Sequence, residues 1–574
     1  MRRSVILVAL LALPFAVRAA DPYVGYVYPA AVAAGTTNRL VVGGQFFWQK
    51  LGAWVSGEGV RVLGVECVPG FPYADNAQRR YLQDWLEAIE RGETSAPPLP
   101  ELKPTDAWRT NRWWKALDTL DAKSRAIVAK DLWVRRNALQ DAPSLRQLAL
   151  VTVAVDPDAA PGLRQLRVFR DDAFSAPRPL EILPMPVVEE PLYRPPKRAR
   201  KAPPAIETLP QAVVGQILPG ETDRWRLRLK GGERFTAVVR GRAYQPYVGD
   251  AVPGFFNPVV TLKTADGREV AFADDFNRME PDPRLSVVVP ATGDYVFEIA
   301  DRLFRGREDF VYTAVFTHEA LPTPAAGVAL PLVRDFEVDA PGERVFEVKA
   351  RRLGSPMDAR IELFDADGRT LAAWDDVTNA FHVGTVIQDE LDPIGRHRFE
   401  KPGRYRVRVD DTCGRRGPGM RCELEIRPPA PSFELVASRS GFRLAKGQRQ
   451  DFTVRVSRRE GFAGPIALAE NDCVRFENAL IPSGADEWTV TAVGKLNEPG
   501  GEVRNFDVVA VGRMPDGRLV TGTVVAADAY EQAFAWNHLV SYGRFVFACR
   551  HQPPKKEAAP TAATKKARPR RGDL

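Results

Sequence analysis

The sequence predicts a mainly β chain of tandem β-sandwich domains with one helical insertion in the first of them, on three observations. Apolar and charged residues alternate with period 2 in many short stretches, glycine plus proline make up 16% of the 574 residues, and a unit of about 110 residues occurs twice in the middle. A globular average is roughly 12% glycine plus proline, so the excess fits short strands joined by turns. At roughly 100–200 residues per domain, the length corresponds to about three to five domains. A hydrophobic content of 45%, with neither a heptad nor a Gly-X-Y period, excludes a coiled coil, a collagen-like repeat and a wholly disordered chain.

In chain order, the first segment has the pattern of a signal peptide over residues 1–19. Arg2 and Arg3 precede an apolar stretch from Val5 to Val17, and Val17-Arg18-Ala19 sets small residues at the −3 and −1 positions. That stretch is too short to span a bilayer and no later one is longer, so no transmembrane span is expected after cleavage. The chain is expected to be exported to the periplasm, the cell surface or the medium.

Residues 20–186 read as a β domain interrupted at about 76–140. There Tyr81, Leu82, Trp85, Leu86 and Ile89 fall on one helical stripe that Gly92 stops, and two further helical runs carry Trp108, Trp113, Trp114, Ile127, Val128, Leu132 and Trp133. Those tryptophans suit packing onto the host domain better than stacking on sugars. Residues 187–206 read as a proline-rich basic linker. Strand patterns then dominate. Trp225, Leu227 and Leu229 alternate with Arg224, Arg226 and Arg228, Tyr405, Val407 and Val409 alternate with Arg404, Arg406 and Arg408, and Phe452, Val454 and Val456 follow the same rule. Arginine on the polar side means a strand with one wet face.

The repeat occupies residues 207–317 and 328–427. Asp266-Gly267 recurs as Asp367-Gly368 and Asp274-Asp275 as Asp375-Asp376, at an offset of 101. Gly232-Glu233-Arg234 recurs as Gly342-Glu343-Arg344, Asp282-Pro283 as Asp392-Pro393, and Gly293 with Tyr295 as Gly403 with Tyr405, at 110. Two units of this size suit tandem sandwiches better than a solenoid. A further sandwich is expected over 430–550, and a disordered basic tail over 551–574.

Several stretches carry a family resemblance. Pro219-Gly220-Glu221-Thr222-Asp223-Arg224-Trp225, Pro258-Val259-Val260-Thr261-Leu262 and Thr292-Gly293-Asp294-Tyr295 in the first copy resemble bacterial pre-peptidase C-terminal (PPC) domains. So do Leu363-Phe364-Asp365-Ala366-Asp367-Gly368 and Pro402-Gly403-Arg404-Tyr405 in the second, although that copy lacks a clear Gly-Glu-x-Asp opening. Tyr28-Pro29 and Leu40-Val41-Val42-Gly43-Gly44 resemble the start of an IPT/TIG domain, and the last sandwich resembles an immunoglobulin-like one. The resemblance implies jelly-roll or immunoglobulin-like sandwiches on an exported protein, commonly beside a peptidase module. None is found in this chain.

The net charge of +7 divides unevenly: the signal segment, the linker and the tail carry the positive excess, and the remaining body is −4. That argues against a nucleic-acid-binding fold. The tail can hold an anionic envelope polymer through screened attraction, or serve only as a solubilising end.

Chemistry is sparse. The five histidines show no zinc-protease spacing, and there is no Gly-x-Ser-x-Gly elbow, phosphate loop or dinucleotide fingerprint. The chain reads as non-enzymatic and requires no cofactor. Asp274, Asp275, Asp375 and Asp376 are candidate calcium ligands, since hard oxygens on adjacent loops suit that ion; the plainer reading is hairpin chemistry with solvated aspartates. Asn277 and Asp282 are candidate additional ligands. Tyr244, Tyr247, Phe255 and Phe256 crowd one loop, where the second copy has none of them, and either form a stacking platform for a glycan or a protein groove or have Phe255 and Phe256 folded back as a cap on the sandwich. Cys413 and Cys422 bracket a glycine-rich tip and are candidates for a cross-hairpin disulfide; Cys67, Cys473 and Cys549 read as buried apolar residues. The partners expected are cell-envelope polysaccharide or another exported protein. The alternative is an accessory subunit or inactive relative of an exported hydrolase.

Overall fold

The computed structural model describes residues 21–47, 50–68, 76–93, 117–133, 142–193, 205–245, 256–276, 281–321, 327–378, 389–390, 392–417, 419–498, 502–532 and 536–550. Residues 1–20, Trp108, Trp113, Trp114, most of the expected linker and residues 551–574 lie outside these residues. Within them the protein is mainly β, in stacked sheets whose strands are mostly antiparallel. No helix among the described residues is long and apolar enough to cross a membrane.

The N-terminal domain stacks a sheet ordered Tyr23–Tyr28, Thr37–Gln45, Gln147–Val155, Val60–Val68 on one ordered Ala31–Ala33, Arg178–Leu183, Gly162–Phe169, Gly52–Val55. Val24, Leu40, Val42, Val151, Val153, Leu166, Leu180 and Ile182 fill the space between them. The helical segment stands between the strands Val60–Val68 and Gln147–Val155. Helix Asn76–Glu90 buries Leu82, Trp85 and Leu86, as its stripe requires, and Gly92 behind it takes φ +83°. Helix Ala122–Trp133 is capped by Asp121, whose Oδ1 accepts from the Ser124 N–H at 2.8 Å, an interaction of about 1 kcal/mol. The same carboxylate pairs with Arg39, which ties the helix to the sheet below.

Sandwich 1 has sheets ordered Arg284–Val288, Arg234–Arg240, Val311–Thr317, Gln211–Gln216, Val187–Glu189 and Asp223–Leu229, Gly293–Asp301, Pro258–Thr264, Glu269–Ala273. Trp225, Leu227 and Leu229 point inward and Arg224, Arg226 and Arg228 outward, so the period-2 reading holds residue by residue. The expected linker is in part structure: Val187–Glu189 runs parallel to Gln211–Gln216 as an edge strand. Extended β-branched residues beside an open edge add to it more readily than they stay solvated.

Sandwich 2 repeats the plan with Val328–Ala329, Arg421–Arg427, Gly342–Lys349, Ile394–Phe399 over Leu332–Val338, Gly403–Asp411, Ala359–Phe364, Thr370–Trp374. The C-terminal sandwich joins a large sheet containing Arg449–Arg459 and Leu519–Gln532 to a small one of Gly441–Leu444, Phe545–Cys549 and Arg504–Phe506.

The N-terminal domain packs on two neighbours. Its helices share a core with Tyr244 and Val311 of sandwich 1. Its other end meets the C-terminal sandwich, where Phe174 packs on Val546 and Ala548 and the Arg443 guanidinium lies 4.7 Å from the Phe169 ring. Arg167, only 1% exposed, donates to the Ser175 carbonyl at 2.9 Å and faces the Tyr542 ring and Asp528 across that junction.

Candidate cation and ligand sites at the loop end of the paired sandwiches

Two aspartates per repeat build the loop end, and of the four Asp301, Asp392 and Asp411 are buried and Asp282 half-buried. Asp282 accepts the backbone N–H groups of Gly241, Arg242 and Ala243 at 2.7–2.9 Å. Asp392 accepts those of Ala350, Arg351 and Arg352 at 2.7–3.1 Å. Both carboxylates therefore cap a tight turn, and Asp282 is consumed by this role instead of serving as a cation ligand. Burial pushes its carboxyl above the ordinary range despite the three donors.

The second pair is Asp301 and Asp411. Asp301, fully buried, accepts from the N–H groups of Asn257, Leu303 and Arg305 and from Nε and Nη2 of Arg305. Asp411 accepts from the N–H groups of Asp358, Cys413 and Arg415 and from the same two nitrogens of Arg415. Each locks the turn after its strand onto the strand that begins at Pro258 or Ala359. The signal was present in the sequence as Asp-x-x-x-Arg in both copies, and sequence reasoning missed it.

These locks align the acidic pairs. In sandwich 1, Arg302 Nη1 lies 3.0 Å from Asp274 Oδ2 and 3.1 Å from Asp275 Oδ2, and the Asn257 side chain hydrogen-bonds Asp275. In sandwich 2 the Arg302 position is Thr412 and the Asn257 position is Asp358: the N–H of Arg302 donates to the Asn257 carbonyl, as that of Thr412 does to the Asp358 carbonyl. Asp358, Asp375 and Asp376 each bring one carboxylate oxygen within 4.8 Å of the others. Two oxygens on one calcium at about 2.4 Å are separated by no more than about 4.8 Å, so this set fits the ion. One repeat thus sets a guanidinium on its paired aspartates, while the other adds a third carboxylate.

The aromatic loop divides. Tyr244 is buried, not displayed: its hydroxyl donates to Glu181 at 2.6 Å and shares a 2.8 Å hydrogen bond with the Thr313 hydroxyl. Burial, foremost, pushes its phenol well above the usual value. Phe256 is fully buried, stacked 5.3 Å from Phe310 and so close to Gly241 that a side chain there would meet it at 2.6 Å. Both are corrections to a ligand-facing role, because the N-terminal domain covers one and the sandwich core takes the other. Tyr247, Phe255 and Asn277 lie outside the described residues.

The disulfide reading is also corrected. None of the five cysteines is in a disulfide; Cys413 is exposed and Cys422 buried in the core. The strands Gly403–Asp411 and Arg421–Arg427 belong to opposite sheets, so no hairpin brings the two sulfurs together. His318 is on the surface, with Nδ1 2.9 Å from the Arg234 carbonyl oxygen. His397 rests edge-on against Phe399 at 4.7 Å.

No family model matches the chain, and no curated protein does. Solved structures that it is similar to include the fibronectin(III)-like modules of Clostridium thermocellum CbhA, at 15% identity over 35% of this chain and 95% of that one, with a TM-score of 0.12. The N-terminal four Ig domains of Dscam1 isoform 4.44 match at 10% identity over 69% and 89%, with a TM-score of 0.12. Protocadherin Gamma B2 extracellular cadherin domains 1-5 match at 10% over 68% and 70%, with a TM-score of 0.14. The fold defines the chain as a multi-sandwich β protein.

Proposed function

We propose that the chain is an exported, non-enzymatic binding protein of the cell envelope, with PPC-like sandwiches between an IPT/TIG-like first domain and an immunoglobulin-like last one. The observation that carries this reading is that matching buried aspartates brace the loops at one end of both sandwiches, while the groups held out by those loops differ. Rigid scaffolds with varied loops are how sandwich modules recognise ligands. The ligand class is envelope polysaccharide or another exported protein.

The test is sedimentation of residues 20–574 on isolated envelope polymer, beside a chain ending at Arg550, just past the core strand Phe545–Cys549. Binding by both at high salt is the expected result. Binding lost both at high salt and on removal of the tail would refer the wall interaction to tail charge, and stoichiometric co-purification with a hydrolase would favour an accessory role.

Within the same proposal, Asp358, Asp375 and Asp376 hold calcium in sandwich 2, where sandwich 1 uses the Arg302 guanidinium. Calorimetric titration with calcium should show one site per chain, lost in Asp358→Asn. Arg302→Thr combined with Asn257→Asp should create a second. Absence of any calcium heat in the native chain would remove the ion and leave the binding reading in place.

A further inference from the structure

Resting on the reading of the chain as a binding protein, we propose that Leu303 and Phe304 form a preorganised apolar knob that docks into an apolar pocket on a partner protein. They are neighbours in sequence, and at 67% and 72% they are the most exposed large apolar side chains among the described residues.

The loop that carries them is rigid. Asp301 accepts the N–H groups of Leu303 and Arg305, and the Phe304 N–H closes a turn on the Asp301 carbonyl at 2.8 Å. Gly306 packs so tightly on Leu218 that an added side-chain carbon would fall 2.1 Å from its backbone. Phe304 itself takes φ +54°, a left-handed conformation that bulky residues rarely occupy.

Sandwich 2 shows that the fold does not require this residue. The Asp411 cage is the same, and there the Leu303 and Phe304 positions are Cys413 and Gly414, with Gly414 at φ +71°. Glycine suits that conformation without strain. Sandwich 1 thus keeps a strained phenylalanine whose ring is mostly in water, and strain held without internal packing points to a function outside the fold.

The surroundings select the partner. Arg302 is paired with Asp274 and Asp275, Arg305 with Asp301, and Arg307 with Asp309 at 2.6 Å. Three guanidiniums among four carboxylates leave the shoulders with no positive excess to draw an anionic lipid or polymer, and the tip offers no side-chain hydrogen bond to a sugar hydroxyl. A rigid apolar projection whose flanking charges are all engaged in ion pairs fits a protein pocket, where preorganisation lowers the entropic cost of binding.

The test uses the full mature chain, with a photo-crosslinking phenylalanine at position 304 in envelope extracts, followed by purification of the adduct protein. The expected result is one discrete adduct. Its purified partner should bind the native chain at least about tenfold more tightly than Phe304→Gly, the residue type sandwich 2 uses. The variant should melt no lower than the native protein, which separates lost docking from lost folding. Equal affinity of the purified partner for both chains, or no adduct while polymer binding persists, overturns the knob and leaves the binding reading intact. Binding to phosphatidylglycerol vesicles that disappears in Phe304→Gly overturns it in favour of a lipid surface. Failure of the native chain to bind any of these overturns both.

Discussion

Replacing Asp301 by asparagine tests whether the loop end is braced as the structure indicates. The native carboxylate accepts five hydrogen bonds, three from backbone N–H groups and two from Arg305, and it is wholly buried while Arg305 remains 25% exposed. Asparagine keeps the shape and one acceptor oxygen, but its amide turns two hydrogens toward groups that are themselves donors. At about 1 kcal/mol for each unmade backbone bond and about 1–2 for the charge-assisted pair, discounted for the partial exposure of Arg305, the loss is about 2–3 kcal/mol. In a chain of several domains no single unfolding free energy reports this, so the assay is hydrogen exchange on peptides spanning residues 256–264 and 301–310. Protection of the Leu303 and Arg305 amides should fall by about 30- to 150-fold, with little change in the C-terminal sandwich.

Acid provides the internal control. Burial works against ionisation of Asp301, but Arg305 and the converging N–H groups overcome it and hold the carboxyl below its ordinary range. A depressed folded value means that the contribution is fully present above the unfolded pKa of about 3.9 and is lost as pH falls through the folded value. The native loop should therefore loosen below about pH 4, and Asp301→Asn should show no such step. Unchanged protection in the variant, or the same acid step in both chains, would refute the reasoning.

Tyr244→Phe should destabilise the junction of the N-terminal domain with sandwich 1 by about 1–2 kcal/mol, because Glu181 keeps Arg240 but loses a short donor. Envelope binding should not change, and a loss of binding without a shift in melting would return Tyr244 to a ligand-facing role. Cys413 should react first with a thiol reagent and Cys422 only on unfolding, since burial pushes the Cys422 thiol up to about 12; a native mass that rises on reduction would contradict the free thiols. Arg167→Met should let the C-terminal sandwich melt as a separate transition in calorimetry, because Arg167 crosses the junction buried. One unaltered transition would show that the apolar contacts hold it alone.

Much of the fold was legible because strand faces are written locally. Trp225, Leu227 and Leu229 must point inward if Arg224, Arg226 and Arg228 are to stay hydrated, and no distant residue alters that. The Asp-Gly turns were legible for the same reason, with Gly267 and Gly368 at φ +89° and +80°. What the sequence hid depends on topology. Hairpin logic fails at Cys413 and Cys422 because the chain crosses between sheets there, a choice that no local pattern records. Tyr244 reads as displayed until the N-terminal domain covers it, and Asp282 reads as a free ligand until Gly241, Arg242 and Ala243 arrive beside it.

The two repeats differ most where their scaffolds agree most. Asp301 and Asp411 make the same five hydrogen bonds, one of them from the N–H of the residue just before each braced strand, Asn257 or Asp358. With the backbone held alike, exchanging Asn257 for Asp358 and Arg302 for Thr412 turns a guanidinium-filled site into one of three carboxylates. Exchanging Phe304 for Gly414 removes an apolar tip and its strain. A loop braced by a buried carboxylate tolerates such exchanges because its conformation does not depend on the side chains it displays. Sequence divergence at these positions therefore alters what each loop end displays without altering whether the sandwich folds.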